Sequence, residues 1–212
     1  MLKVNYKSTA LFSLKKYKDS NLNCQSYEYP TVYAIRSAIL GAIIQIEGMD
    51  KAKELFYKVK NSNIYVQYPQ KYKTNVIKQK RYGRSYYQSF DVMDRSKLLN
   101  ANWNTVIGAR QYVDLEDIVF YIDNMIPNIE IYLKNIDWLG TAESMVYLHS
   151  IEDANKIENI LMKWNGEDKV NTYEQHDWNS KTSFENIYMY SDKYKRMNDS
   201  YMCSIGNIIL PT

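Results

Sequence analysis

Cysteine is scarce in this chain of 212 residues. Cys24 and Cys203 stand far apart, with neither a CxxC pair nor a histidine at metal-ligand spacing. A disulfide framework and a zinc site are both excluded as organising devices, and reduced thiols in a cytoplasm are the expectation. Seven glycines and four prolines leave no obvious linker, low-complexity tract or repeat. The longest strongly apolar run, "AILGAII" at 38–44, is far too short to span a bilayer, so no membrane partner is expected. The opening "MLKVNYKSTALF" lacks the apolar core and cleavage site of a secretory signal. No P-loop, GxGxxG, nucleophile elbow or Ser-His-Asp order is present. The carboxylates of "EDANKIENIL" and "DLED" read as a capped helix and a turn, so no metal or other cofactor is expected.

Acidic residues are nearly missing from one quarter of the chain. Between Lys58 and Tyr112 eleven lysines and arginines face only Asp91 and Asp94, a net +9. The remainder carries 16 basic and 22 acidic residues, a net −6. The overall +3 conceals this asymmetry, which points to a polyanionic partner. The rest of the composition, 45% hydrophobic and 24% charged, is that of a globular chain long enough to bury a real core.

Periodicity predicts an α+β order. Residues 2–14 alternate as a first strand, and "YPTVYAIRSAILGAIIQIEG" (29–48) reads as a helix built for burial. Val32, Ile35, Ile39, Ala42, Ile43 and Ile46 form its apolar stripe, with the small residues Ala34, Ser37 and Gly41 opposite. A second helix runs to Val59, then "NIYVQY", "VIGARQYV" and "DIVFYID" read as strands. A short helix after Pro127 and the strand "SMVYLHS" complete a β-α-β-(insert)-β-α-β order, which suggests a ferredoxin-like core. Ser150 and Asp153 are spaced as a capping box, and Ile151 to Trp164 keep helical spacing up to Gly166, so a helix is expected there. The stretch with "YEQHDWN" reads as a polar loop, followed by late strands "FENIYMY" and "CSIGNIIL".

The insert at about 69–104 interleaves cations with tyrosines and has little apolar periodicity, as an arm that protrudes would. Lys71, Lys73, Lys78, Lys80, Arg81 and Arg84 can neutralise phosphates, while Tyr82, Tyr86 and Tyr87 can stack on unpaired bases. Arg110 belongs to the same basic segment. Single-stranded RNA suits the combination, because its bases are free to splay onto rings. Arg36 at the start of the long helix reads as a snorkelling stem over apolar surface.

Several stretches recur together in an order that resembles a known family. "YKSTALFSLKKY", "YEYPTVYAIRSAILGAI", "IGARQYVDLEDIVFYID" and "NIDWLGTAESMVYL" are similar to the fifth CRISPR-associated family, a RAMP subunit of the Cascade surveillance complex. The end of the chain, "FENIYMYSDKY…SIGNIILP", is similar to its type I-B-like members. The resemblance implies a ferredoxin-like (RRM-like) palm with a β-hairpin thumb over about 69–104, all within residues 1–150. A C-terminal β extension, with its helix and strands at 151–212, packs on the same domain. It further implies a non-catalytic subunit that caps the 5′ handle of the CRISPR RNA, beside the backbone subunits and the large subunit. Target DNA is met only through the complex. Tyr29 and Arg36 would lie at the loop and helix start that face the handle, with Arg36 as a phosphate or base contact at a helix entrance that also favours anions.

One branch of that family cleaves precursor CRISPR RNA, and such chemistry needs a base at the 2′-hydroxyl and an acid at the leaving oxygen. Only His149 and His176 are available, neither in the basic insert, and both read as structural or surface residues. No catalytic residue is therefore expected, with a metal-independent endoribonuclease as the alternative. A protein-interaction module with a basic arm is the second alternative. Trp103, Trp138, Trp164 and Trp178 read as core or interface anchors.

Overall fold

The computed structural model describes residues 1–16, 19, 23–82, 105–141, 143–167, 169–195 and 197–209. β1 (Leu2–Ser8) buries Leu2, Val4 and Tyr6 and turns Lys3, Asn5 and Lys7 to its other face, as period-two alternation requires. The strand stops at Ser8, short of the expected residue 14. Phe12 beyond it pairs with Val113 as an isolated bridge.

α1 (Val32–Glu47) begins where the sequence supplies a cap: the Thr31 hydroxyl accepts the Ala34 N–H at 3.2 Å. Ile35, Ile39 and Ile43 are wholly buried, while Ile46, expected on the same stripe, is exposed where the helix runs past the core. Gly48, at φ +87°, closes α1 and lets α2 (Met49–Asn61) begin at the next residue. α2 buries Ala52, Leu55, Phe56 and Val59 and exposes Lys53 and Lys58. β3 (Ile64–Val66), β6 (Asp117–Ile122), α3 (Ile129–Lys134) and β7 (Val146–Asp153) follow close to their expected places.

The four strands make one sheet in the order β3-β6-β1-β7, with every neighbouring pair antiparallel. β1 and β3 therefore run the same way with β6 between them, and β6 and β7 with β1 between them. The three helices share one core with the inward residues of this sheet. On the sheet's other face a smaller cluster of Tyr121, Ile157 and Ile160 forms against Tyr65, Met162 and Ile208.

A second sheet, β8-β10-β9, is made of β8 (Lys156–Lys163), β9 (Tyr173–Trp178) and β10 (Asn198–Ile209). Three expectations fail in this part of the chain. The helix expected from Ser150 to Trp164 is a pair of strands, the end of β7 and all of β8. A bulge produces the misleading pattern. Ile208 and Gly206 of β10 lie opposite Ile157 and Ile160, so three steps on β8 match two on β10, and Asn159 takes up the difference at φ +53°. The bulge puts Ile157, Ile160 and Leu161 indoors together, a spacing that mimics a helix face. "FENIYMY" holds a one-turn helix, α4 (Phe184–Ile187), because Ser183 and Asn186 close a capping box. "YEQHDW", read as loop, is strand β9. Trp178, Phe184, Leu161 and Cys203 belong to the same core as Val4 and Ile35.

The third sheet contains a long two-stranded ribbon. β4 (Tyr72–Tyr82) and β5 (Thr105–Leu115) pair antiparallel over their full length, from Tyr72↔Leu115 to Tyr82↔Thr105. The two-residue β2 (Asn23–Cys24) lies parallel to β5 at Ala109 and Arg110. Residues 83–104 lie outside the described residues.

Candidate nucleic-acid interface

The two strands of the ribbon differ in exposure. On β5 Val113 and Leu115 are buried at the root, Phe12 exchanges backbone hydrogen bonds with Val113 at 2.8 and 2.7 Å, Gly108 is buried and residues 109–112 are half-buried. On β4 every residue from 71 to 78 is exposed. Val76 and Ile107 retain 63% and 70% of their surface, values that no packed strand shows. β-branched residues hold the extended backbone here without a core to bury them. Lys71, Lys73 and Lys78 stand among them, and no ion pair among the described residues engages these three. The register sets Lys73 opposite Asp114, the nearest acid on the ribbon, and Lys78 opposite Ala109. Lys80, Arg81 and Tyr82 continue the backbone of β4, opposite Ile107, Val106 and Thr105. Arg84, Tyr86 and Tyr87, expected at the same interface, lie outside the described residues, as does Trp103.

Arg110 differs from these lysines. Its side chain is largely buried at the ribbon's root, with Nη1 at 2.6 Å from Glu143 and Nε donating to the Ser13 hydroxyl at 2.9 Å. The guanidinium also lies 5.6 Å from the centre of the Tyr112 ring. A fork with partners on three sides acts as a bracket between β5 and the 141–144 loop. The expected RNA contact at Arg110 is thus corrected to an internal one.

Arg36 needs the same correction. Only 6% of it is exposed. Nε and Nη2 donate to the two carboxylate oxygens of Asp177 on β9, at 2.7 and 3.1 Å. Nη1 donates to the Val59 carbonyl and, at 3.1 Å, to the Ser62 hydroxyl at the end of α2. The cation thus caps the carbonyl end of one helix, where the macrodipole favours positive charge, while its other edge is held bidentately by a carboxylate. Neither the snorkelling reading nor the anion contact describes it, because its whole hydrogen-bonding edge faces inward.

Tyr29 is buried too. Its hydroxyl donates to the Glu174 carbonyl at 2.8 Å, and burial raises its pKa well above the ordinary tyrosine value. Its ring continues a series that runs Tyr27, Tyr29, Tyr68, Tyr72, with centroids 5.8 to 6.3 Å apart, from the core to the root of β4. The sequence-predicted residues therefore divide. Lys71, Lys73 and Lys78 share one exposed ribbon, whereas Tyr29, Arg36 and Arg110 are held inside.

Sequence reasoning missed a cluster beside Tyr29. His176, expected in a polar loop, sits on β9 with 4% exposure, its Nε2 at 2.6 Å from the Tyr27 hydroxyl. That hydroxyl donates to Glu174 at 3.0 Å, and Glu174 lies 3.7 Å from the same ring nitrogen. Burial lowers the histidine pKa against the opposing pull of Glu174. Nothing local flags this cluster, since Tyr27 and His176 meet only through the fold. His149 is exposed on β7, where a register shift in the pairing with β1 lies beside it. Among the described residues no group of three or more His, Cys, Asp or Glu is placed to hold a metal ion. No helix among them is long and apolar enough to cross a membrane.

No protein-family model matches this chain, and no curated protein matches it. Among solved structures it is similar to one titled "Crystal structure of a CRISPR protein from Archaeoglobus fulgidus", at 13% sequence identity and a TM-score of 0.48, over 97% of this chain and 86% of that one.

Proposed function

We propose that this chain is a non-catalytic subunit of a type I CRISPR Cascade complex, of the fifth CRISPR-associated family and near its type I-B-like members. In this reading it binds and caps the 5′ handle of the CRISPR RNA in antiviral defence. The observation that carries the proposal is the β4–β5 ribbon: a paired, exposed arm within the one segment of the chain where cations outnumber acids by eleven to two. Such an arm suits a polyphosphate chain, whose counterions the lysines displace. The exposed Val76, Ile77 and Ile107 add apolar surface for bases or for a neighbouring backbone subunit. The strand order β3-β6-β1-β7, with helices between β1 and β3 and between β6 and β7, supports a ferredoxin-like palm from which the ribbon serves as thumb.

We read the Tyr27–His176–Glu174 cluster as structural. The histidine ring is buried, and its Nε2 faces Tyr27 instead of solvent. An electrophoretic titration with CRISPR-repeat RNA at two salt concentrations tests the reading. Tight, salt-sensitive binding without cleavage supports it, metal-independent cleavage replaces it with the nuclease alternative, and absence of affinity leaves the interaction module. His176→Ala and His149→Ala are expected to leave RNA processing unchanged.

A further inference from the structure

A cleft of about 680 Å³ lies between α1 and the segment from β9 through α4. Its size is that of a small-ligand site, and Tyr27, Tyr33, Trp178, Phe184, Tyr188 and Tyr194 are among the residues of its walls. A series of rings climbs out of the core into it: Phe56 stacks on Trp178 at 5.3 Å and 28°, meets Phe184 edge-on at 6.0 Å and 85°, and Phe184 stacks on Tyr188 at 6.0 Å and 23°. Tyr188 is half-buried and ends the second stacked pair, while Tyr190 beyond it is tilted by 61° and exposed. Trp178 lines the cleft, and its indole N–H is buried without a partner among the described residues. Hydroxyls of Tyr33, Ser37 and Tyr194 stand among the rings.

Lys15 and Lys16 line the rim, the latter with Glu28 at 3.8 Å. The rim is also continuous with the ribbon. The segment that supplies Leu14, Lys15 and Lys16 is the one whose Phe12 pairs with Val113 at the ribbon's root. Gly140 fixes this wall closely against Leu14: a Cβ there would lie 2.5 Å from the Leu14 Cδ1, and its φ is +89°.

We propose that this cleft takes one unpaired nucleobase of a bound single-stranded RNA, stacked against Tyr188 with its phosphate toward Lys15 and Lys16. The inference rests on the RNA-binding reading above and adds to it a second, shape-selective contact. A base offers the two features that these walls match, a flat π-face and an edge of hydrogen-bonding groups, and its backbone carries the charge that the rim opposes. An acidic peptide would bring no flat face to Tyr188.

Two substitutions separate this cleft from the ribbon. Gly41 lies on the α1 wall with no atom within 4 Å of a Cβ built on it, so Gly41→Leu fills space without a clash and improves the helix. Tyr188→Ala removes the platform, and Tyr188→Phe keeps it. The probe is single-stranded CRISPR-repeat RNA followed by fluorescence anisotropy, with thermal denaturation run on each variant. Gly41→Leu and Tyr188→Ala are expected to fold and to bind roughly five- to a hundredfold more weakly, as loss of one stacked base implies, with Tyr188→Phe close to the parent. Repeat RNA carrying 5-iodouridine is expected to crosslink within the peptide that holds Tyr188. Parent-like affinity in folded Gly41→Leu and Tyr188→Ala, with crosslinks confined to the ribbon, overturns the cleft while leaving RNA binding intact. Loss of a protein partner with unchanged RNA affinity in these two variants overturns it in favour of a peptide. If the parent protein itself shows no affinity for the repeat RNA, the RNA reading fails, and the cleft proposal with it.

Discussion

The entrance of α1 and the β4–β5 ribbon contain the same residue types, cations set among tyrosines, and put them to opposite uses. At the helix entrance Arg36 is buried, and its guanidinium is divided between Asp177, Val59 and Ser62. On the ribbon Lys71, Lys73 and Lys78 are exposed, and no acid is drawn to them. What separates the two is the supply of carboxylates from elsewhere in the fold. β9 packs on α1 and delivers Asp177 to Arg36, whereas the lysines of β4 are exposed, and Asp114, set opposite Lys73, makes no ion pair with them among the described residues. Arg110 marks the border, with an acid at the root and solvent beyond.

The largest effect is expected where the cation is internal. Arg36→Met leaves Asp177 without its cation and removes one donor from the Val59 carbonyl, which keeps the Ser62 hydroxyl at 2.9 Å. Breaking a buried pair costs roughly 3–5 kcal/mol, and the partial exposure of Asp177 brings the expected loss to about 3 kcal/mol. For a chain of this size that is a fall of roughly 6–12 °C in the thermal midpoint. RNA affinity of the folded protein should stay near the parent's. A variant that melts like the parent and loses RNA binding would erase the contrast with the ribbon.

Arg110→Met should have a smaller effect, about 1 kcal/mol, because Glu143 is half in solvent and its pairing is screened. Calorimetry of the single variant checks it. A loss as large as that of Arg36→Met would mean that the root of the ribbon belongs to the core as fully as the helix entrance does.

His176 sharpens the same division through pH. Its pKa is lowered from the ordinary 6.5 by burial, so between that value and the native one the unfolded chain binds the extra proton. Stability from the neutral ring is therefore complete above about pH 6.5 and declines as pH falls from there toward the native pKa. Denaturant melts from pH 7.5 to 5 should show a steeper acid decline in the parent than in His176→Gln. Equal slopes would place the ring in contact with solvent.

The smallest effect concerns the thiols. Burial pushes the Cys203 pKa up to about 12, while Cys24 is only half-buried on the short strand beside the ribbon. Under native conditions iodoacetamide should label Cys24 and spare Cys203, as peptide mass spectrometry would record. Native labelling of Cys203 would show that the β8-β10-β9 sheet opens readily.

Much of the sheet β3-β6-β1-β7 was legible, because each of its elements carries its own period. Leu2, Val4 and Tyr6 alternate, and Ile35, Ile39 and Ile43 keep helical spacing, so local pattern and final burial agree. The C-terminal part was legible only at β10. In β8 the bulge at Asn159 shifts the alternation by one residue and leaves a spacing that belongs to helices. In β9 the polar Gln175 and His176 are buried on hydrogen bonds to Val32 and Tyr27, which no window around residue 175 contains. The site was legible in the same uneven way. The exposed lysines of the ribbon follow from charge and lack of periodicity, which are local. The inward turn of Arg36 follows from Asp177, a partner 141 residues away.

The central claim is that the ribbon's lysines meet phosphates. Titration of CRISPR-repeat RNA into the parent and into Lys71→Gln/Lys73→Gln/Lys78→Gln, from 50 to 300 mM salt, tests it most directly. Each phosphate contact to a single strand contributes about 0.7 to the slope of log affinity against log salt, so losing three should flatten the parent's slope by about 2. Both proteins should show the same thermal midpoint, because these side chains touch no core. Identical slopes in the two folded proteins would contradict the account and remove the ribbon from any RNA interface.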